Sequence, residues 1–173
     1  RNRTRQLDSA SLFEIGTVFG MDQGGSPAEE QRVAIGLMGA VGPRQRGNSR
    51  ELDEEEMFLC TKGVLEAVCA NQKAGKCELR PKSTDVLRQG WSMEIILEAE
   101  SVGILGLVEP DIVSQWRITE PLGVAELRLD ALLGNAFRTP VFEPIRVYPS
   151  VSRDIAIIVA EDVRHEQVVD LIR

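Results

Sequence analysis

The run Tyr148-Pro149-Ser150-Val151-Ser152-Arg153-Asp154-Ile155-Ala156-Ile157-Ile158-Val159 limits this chain more than any other stretch. A Pro-Ser turn leads into a Ser-Arg-Asp triplet and then five apolar residues, a pattern that predicts a turn feeding the first, centrally buried strand of a new folding unit. Few residues follow. Asp162 is placed to cap a helix whose apolar face would be Val163, Val168, Leu171 and Ile172, and the sequence stops at Arg173. One strand and one helix cannot bury enough surface to stand alone. The chain therefore reads as a piece of a longer polypeptide.

The N-terminal run Arg1-Asn2-Arg3-Thr4-Arg5 has no initiator Met and no signal-peptide core, and no spanning segment follows. Asn2-Arg3-Thr4 matches a glycosylation sequon by chance in such a context. Cys60, Cys69 and Cys77 are odd in number and lack C-x-x-C spacing, which favours free thiols in a reducing cytosol over a disulfide framework or zinc site. A net charge of −7 argues against a general nucleic-acid coat. Two local basic spots remain, Arg1/Arg3/Arg5 and Arg44/Arg46/Arg50, each expected to be a solvated segment.

Most of the chain predicts short strands around one long helix. Leu12–Phe19 and Arg32–Gly39 are apolar, β-rich runs that should pair antiparallel across a Gly-rich loop. Asp53-Glu54-Glu55-Glu56 reads as a helix start, with acids on the positive end of the dipole. Met57, Phe58, Val64, Leu65, Val68 and Cys69 then fall at helical spacing, opposite Glu55, Lys62 and Glu66. Gly63 within that helix implies close packing against a neighbour or a break. Cys77–Arg80 is a short strand, and Ser92–Glu98 with Val102–Val108 a hairpin. Glu109-Pro110-Asp111 opens a helical turn, Pro110 suiting the first position. Val124–Asp130 alternates, with Ala125, Leu127 and Leu129 inward and Glu126, Arg128 and Asp130 outward. Together these predict an α+β fold: an antiparallel sheet with helices on one face.

The chemical inventory is thin. His165, the one histidine, has no nucleophile or acid near it in sequence. No phosphate-binding glycine loop is present, and Gly103 and Gly106 lie in an apolar strand, where glycine permits close backbone approach. Glu14, between Phe13 and Ile15, reads as the outward residue of an amphipathic strand. Trp91 and Trp116 are expected to anchor a core or a subunit interface. The residues alone describe a scaffold without an evident active site, with two other readings open. A small enzyme would build its site from Glu14, Glu94 and Glu109; a stand-alone RNA- or protein-binding α+β module would need no catalysis.

Four segments in register carry a resemblance: Leu12-Phe13-Glu14-Ile15-Gly16-Thr17-Val18-Phe19, Lys62-Gly63-Val64-Leu65-Glu66, Val102-Gly103-Ile104-Leu105-Gly106-Leu107-Val108-Glu109-Pro110 and Tyr148-Pro149-Ser150-Val151-Ser152-Arg153-Asp154. In order and spacing the chain resembles the C-terminal third of bacterial phenylalanyl-tRNA synthetase β subunits. It departs from them at Arg88–Glu94, a loop by this reading, where the family usually has a His-Pro-Gly-Arg-Ser-Ala run.

The resemblance implies that residues 1–140 form a class II synthetase-like but non-catalytic core module, and residues 141–173 the start of a ferredoxin-like anticodon-binding domain. It implies no catalytic or metal-ligating residue in this stretch and no cofactor bound by it, with ATP and magnesium serving the whole enzyme. The implied partners are a catalytic α subunit in an (αβ)₂ assembly and the tRNA for phenylalanine, with no membrane. Arg146 and Arg153 are the candidate tRNA contacts, since a guanidinium forks onto phosphate oxygens.

Overall fold

A computed structural model describes residues 9–21, 24–40, 51–72, 74–134, 151–160, 163 and 165–172. The chain divides into two compact units, Arg1–Thr139 and Pro140–Arg173. The basic spots Arg1/Arg3/Arg5 and Arg44/Arg46/Arg50, the cap residue Asp162 and the tRNA-contact candidate Arg146 lie outside the described residues.

In the first unit the strands are β1 (Ala10–Met21), β2 (Pro27–Met38), β3 (Cys77–Pro81), β4 (Leu87–Leu97), β5 (Glu100–Val108) and β6 (Leu122–Arg128), with helices α1 (Glu54–Asn71), α2 (Pro110–Ser114) and α3 (Leu129–Leu133). The strands form one sheet in the order β1-β2-β6-β5-β4-β3, every neighbouring pair antiparallel. The expected β1–β2 hairpin forms, with Phe13 opposite Ile35 and Ile15 opposite Val33.

α1 starts where the acidic run predicts. Asp53 caps it by accepting from the Glu56 amide at 2.9 Å, while the Glu56 carboxylate accepts from the Asp53 amide at 3.1 Å. This capping box satisfies two otherwise orphan donors. Gly63 neither breaks α1 nor packs closely: a Cβ there would meet nothing within 4 Å. The helix keeps its course because its other face carries the contacts. Met57, Phe58, Thr61, Leu65 and Cys69 are buried against the sheet over β6, β5 and β2.

Antiparallel partners share a face, so the buried residues Val33, Ile35 and Leu37 of β2 continue into Leu127, Ala125 and Gly123 of β6 beneath α1. Gly103 and Gly106 show why glycine stands in β5. A Cβ at Gly103 would lie 2.0 Å from the Glu126 carbonyl oxygen, and one at Gly106 2.1 Å from the Trp91 carbonyl oxygen. Arg88–Glu94 is not the loop expected for it but part of β4, its register adjusted by an irregularity between Leu87 and Ser92. Trp91 sets its ring edge-on to Phe58 with centroids 5.4 Å apart, whereas Trp116 is 76% exposed and anchors nothing within the described chain.

The second unit departs from expectation. Val151–Ala160 is exposed throughout and forms no regular element, with no strand partner among the described residues, and Ile158 is fully solvated. A strand is a shared structure whose backbone groups need a neighbour, and an apolar run without one cannot become buried. The terminal helix α4 spans His165–Ile172, and its Leu171 and Ile172 are exposed.

Candidate functional site

The face of the sheet turned away from α1 concentrates the chain's polar chemistry. Period-two alternation puts Glu30 and Arg32 of β2, Glu126 and Arg128 of β6 and Glu94 of β4 on that side, because the residues between them point into the core. Arg32 and Arg128 are directly opposite one another across β2 and β6. Like charges in that relation repel. Four carboxylates around them remove the conflict.

Arg32 donates from Nη1 to Glu126 Oε1 at 2.7 Å and from Nε to Glu30 Oε2 at 2.6 Å. The bond to Glu126 above all, with Glu30 behind it, raises the Arg32 pKa against the opposing effect of burial. Arg128 donates from Nη2 to Glu100 Oε1 at 2.6 Å, and its Nε lies 3.5 Å from Asp130 and 3.9 Å from Glu30. Further along the face, Lys82 and Ser101 both donate to Glu94, whose pKa is lowered by Lys82 first and Ser101 second. Arg80 bonds Glu78 at 3.2 Å.

The arrangement ties cations to the chain's own acids. Anion binding needs donors that converge and remain unspent; Arg32, Arg80 and Lys82 are engaged in place, and Arg128 is held by Glu100 while its buried Nε lacks a hydrogen-bond partner. Among the described residues no group of three or more His, Cys, Asp or Glu is set to hold a metal ion. A cavity of about 330 Å³ opens beside α2, floored by Leu107, Val113, Ile118 and Leu122, and the Arg88–Glu54 ion pair stands on its wall. Glu120 also lines it.

The acids proposed for a small-enzyme site are not brought together. Glu14 is exposed on β1 and Glu94 lies on β4, with β2, β6 and β5 between them, about 19 Å at the usual strand spacing. Glu109 is the N-cap residue of α2 and makes no side-chain cap bond. Arg153 is exposed beside an exposed Asp154. The Glu30–Arg32–Glu126 ladder was not singled out from sequence. Its signal was the outward register of Glu126, Arg128 and Asp130, which foretold polar residues there but not their partners across β2.

No described helix is long and apolar enough to cross a membrane. In its fold this chain is similar to the pyrrolysyl-tRNA synthetase of Desulfitobacterium hafniense, at a TM-score of 0.55 and 15% identity over 76% of this chain and 43% of that one. A second structure of that synthetase gives 0.56 at 18% identity. Both agree with a class II synthetase-like sheet. In sequence, the chain is 31% identical over 177 aligned residues to the phenylalanine–tRNA ligase beta subunit of Streptococcus agalactiae, covering 99% of this chain. It is 29% identical to that of Legionella pneumophila, again over 99% of this chain. It spans 21% of the length of either relative. Residues 1–129 match the family described as the phenylalanyl tRNA synthetase beta chain CLM domain, and to that family this chain belongs.

Proposed function

We propose that this chain is the non-catalytic core module of a phenylalanine–tRNA ligase β subunit, supporting a catalytic α subunit that carries out the ATP-dependent attachment of phenylalanine to its tRNA. The observation that carries this is the state of the open sheet face. Arg32 and Arg128, the two cations at its centre, are bonded to Glu126, Glu30 and Glu100 of the same chain, so that among the described residues their charge is met largely from within rather than offered to a nucleotide. ATP and magnesium then belong to the α subunit's site, and this chain binds neither. Residues 1–140 form the core module and residues 141–173 the start of a ferredoxin-like anticodon-binding domain. The assembly is (αβ)₂, in the cytoplasm.

Arg146 and Arg153 are proposed to meet tRNA phosphates. Arg153 is exposed, as such a contact needs. With a net charge of −7, binding of tRNA by this chain alone should be weak and fall steeply with salt. Sedimentation of the 173-residue chain with the catalytic α subunit of a phenylalanine–tRNA ligase should show a complex, while calorimetry with Mg-ATP and the chain alone shows no heat of binding. Saturable ATP binding by the chain alone, or failure to sediment with the α subunit, would overturn the assignment.

A further inference from the structure

Cys69 and Cys77 meet where the end of α1 approaches the first residue of β3. Cys69 is 2% exposed in the core, and Cys77 packs against that core while staying partly open to solvent. Backbone bonds hold both in place. Cys77 is paired with Leu97 of β4, and the buried Ala74 donates its amide to the Cys69 carbonyl oxygen at 2.9 Å. Both cysteines are free thiols. The Cys77 thiol donates a hydrogen bond to the Cys69 sulfur. That bond is the largest influence on the Cys69 pKa and lowers it, ahead of burial and the Glu66 carboxylate, which oppose it. Glu66 also acts on Cys77, where Lys62, 3.6 Å from Glu66, offsets it. A sulfur that favours its thiolate, next to a second thiol able to resolve it, is the arrangement from which reversible oxidation proceeds.

We propose that Cys69 and Cys77 are a redox pair, in which hydrogen peroxide oxidises Cys69 to a sulfenic acid and Cys77 closes a disulfide onto it. In the first step the Cys69 thiolate attacks one peroxide oxygen. An S–O bond forms, the O–O bond breaks, and the departing hydroxide takes up the proton that Cys69 had released. In the second step the Cys77 sulfur attacks the Cys69 sulfur. The S–O bond breaks, and the hydroxyl leaves as water with the Cys77 proton. Two thiols together lose two electrons, and one peroxide becomes two waters. Hydrogen peroxide is uncharged and close to water in size, so it suits a buried sulfur reached past a half-exposed one. The contact that activates Cys69 also keeps its resolving sulfur adjacent. A disulfide here would tie the end of α1 to β3 across a short loop of sequence. This chemistry is independent of the assignment to a ligase subunit.

The reduced 173-residue chain, treated with hydrogen peroxide and quenched with catalase, should lose the Cys69 and Cys77 thiols together while Cys60 still alkylates. Trypsin cuts after Lys62, Lys73, Lys76 and Lys82, which puts the two cysteines on separate peptides. Mass spectrometry should find peptides 63–73 and 77–82 joined, and separate again after dithiothreitol. Cys77→Ser keeps a hydroxyl donor beside Cys69 and removes the resolving sulfur. After peroxide, that variant unfolded in urea with dimedone should carry a dimedone adduct or a sulfinic acid at Cys69. A folded variant with neither would overturn the order of the two steps, and the unmutated chain decides the pairing whether or not the variant folds. Disulfides that engage Cys60, oxidation of Cys77 with Cys69 intact, or both thiols still free once Cys60 is oxidised would each overturn the pair. So would the same disulfide forming equally well in urea, because nearness in sequence and not the fold would then select it.

Discussion

Thr61 of α1 sits so close to Gly123 of β6 that a Cβ on the glycine would lie 2.0 Å from the threonine Oγ1 and 3.3 Å from Met57 Cγ. The threonine hydroxyl donates to the Met57 carbonyl oxygen at 2.8 Å, so this fully buried polar group is satisfied inside its own helix. Helix and sheet thus meet at a point where neither has spare volume, and α1 is seated at one fixed depth over β6.

Gly123→Ala should therefore destabilise the first unit. The added methyl drives into a buried side chain with little room to move, and overpacking of this kind costs roughly 1–3 kcal/mol. Gly36→Ala is the control, because its Cβ would meet nothing within 4 Å. In urea denaturation Gly123→Ala should lower the midpoint clearly, and Gly36→Ala should leave it unchanged or raise it slightly. Equal effects of the two would remove the contact's claim to seat the helix.

The capping box gives a second, smaller expectation. Asp53→Ala removes the acceptor for the Glu56 amide and should cost about 1 kcal/mol. Asp53→Asn keeps an acceptor and should recover most of that loss. Helical signal and urea midpoint should fall together in the alanine variant, because α1 is a major part of the core it covers.

Much of this architecture is legible in the sequence because each signal is local. Asp53-x-x-Glu56 marks a helix start whatever surrounds it, and the Glu126/Arg128 register marks one solvated side of β6, although the alternation expected through Asp130 ends at Arg128, where α3 begins. The parts that stay hidden are long-range. Nothing near Gly123 in sequence announces Thr61, and nothing near Arg32 announces Glu126, since sheet order β2-β6 brings together residues 94 positions apart. The run Val151–Val159 fails for the same reason with opposite sign. Its composition suits a strand, but burial depends on neighbours, and none lies beside it in the described chain. At the candidate site, residue types were readable and their mutual neutralisation was not.

Glu94 supplies a pH-dependent expectation. Its carboxyl is held below the ordinary range by Lys82 first and Ser101 second. A depressed pKa contributes stability that is present above the ordinary carboxylate pKa and is lost as pH falls through the depressed value. Lys82→Ala should move the Glu94 carbon resonance titration upward toward an ordinary glutamate, with Ser101→Ala producing a smaller change in the same direction. A Glu94 titration unmoved by Lys82→Ala would mean that the ion pair does not persist in solution.

Cys77 gives the last expectation. Its thiol, at the start of β3, is hydrogen-bonded to the thiol of Cys69, which is buried near the end of α1. That bond first, and burial second, push the Cys77 pKa far above the ordinary thiol range, because the protonated form is the one the site stabilises. Alkylating reagents attack the thiolate, so native Cys77 should react far more slowly at mildly alkaline pH than it does in urea. Cys69→Ala deletes the partner and leaves most of the burial, so the Cys77 pKa should fall and its alkylation rate at fixed pH should rise several-fold. A general loosening of the fold would also speed alkylation, and Cys60 distinguishes the two. Cys60 sits on α1, within the same helix but away from this thiol pair, and its rate should stay constant in Cys69→Ala if the effect is confined to Cys77. Mass-spectrometric rates at both cysteines, read across pH, decide between a local change in thiol acidity and a helix that has come away from the sheet.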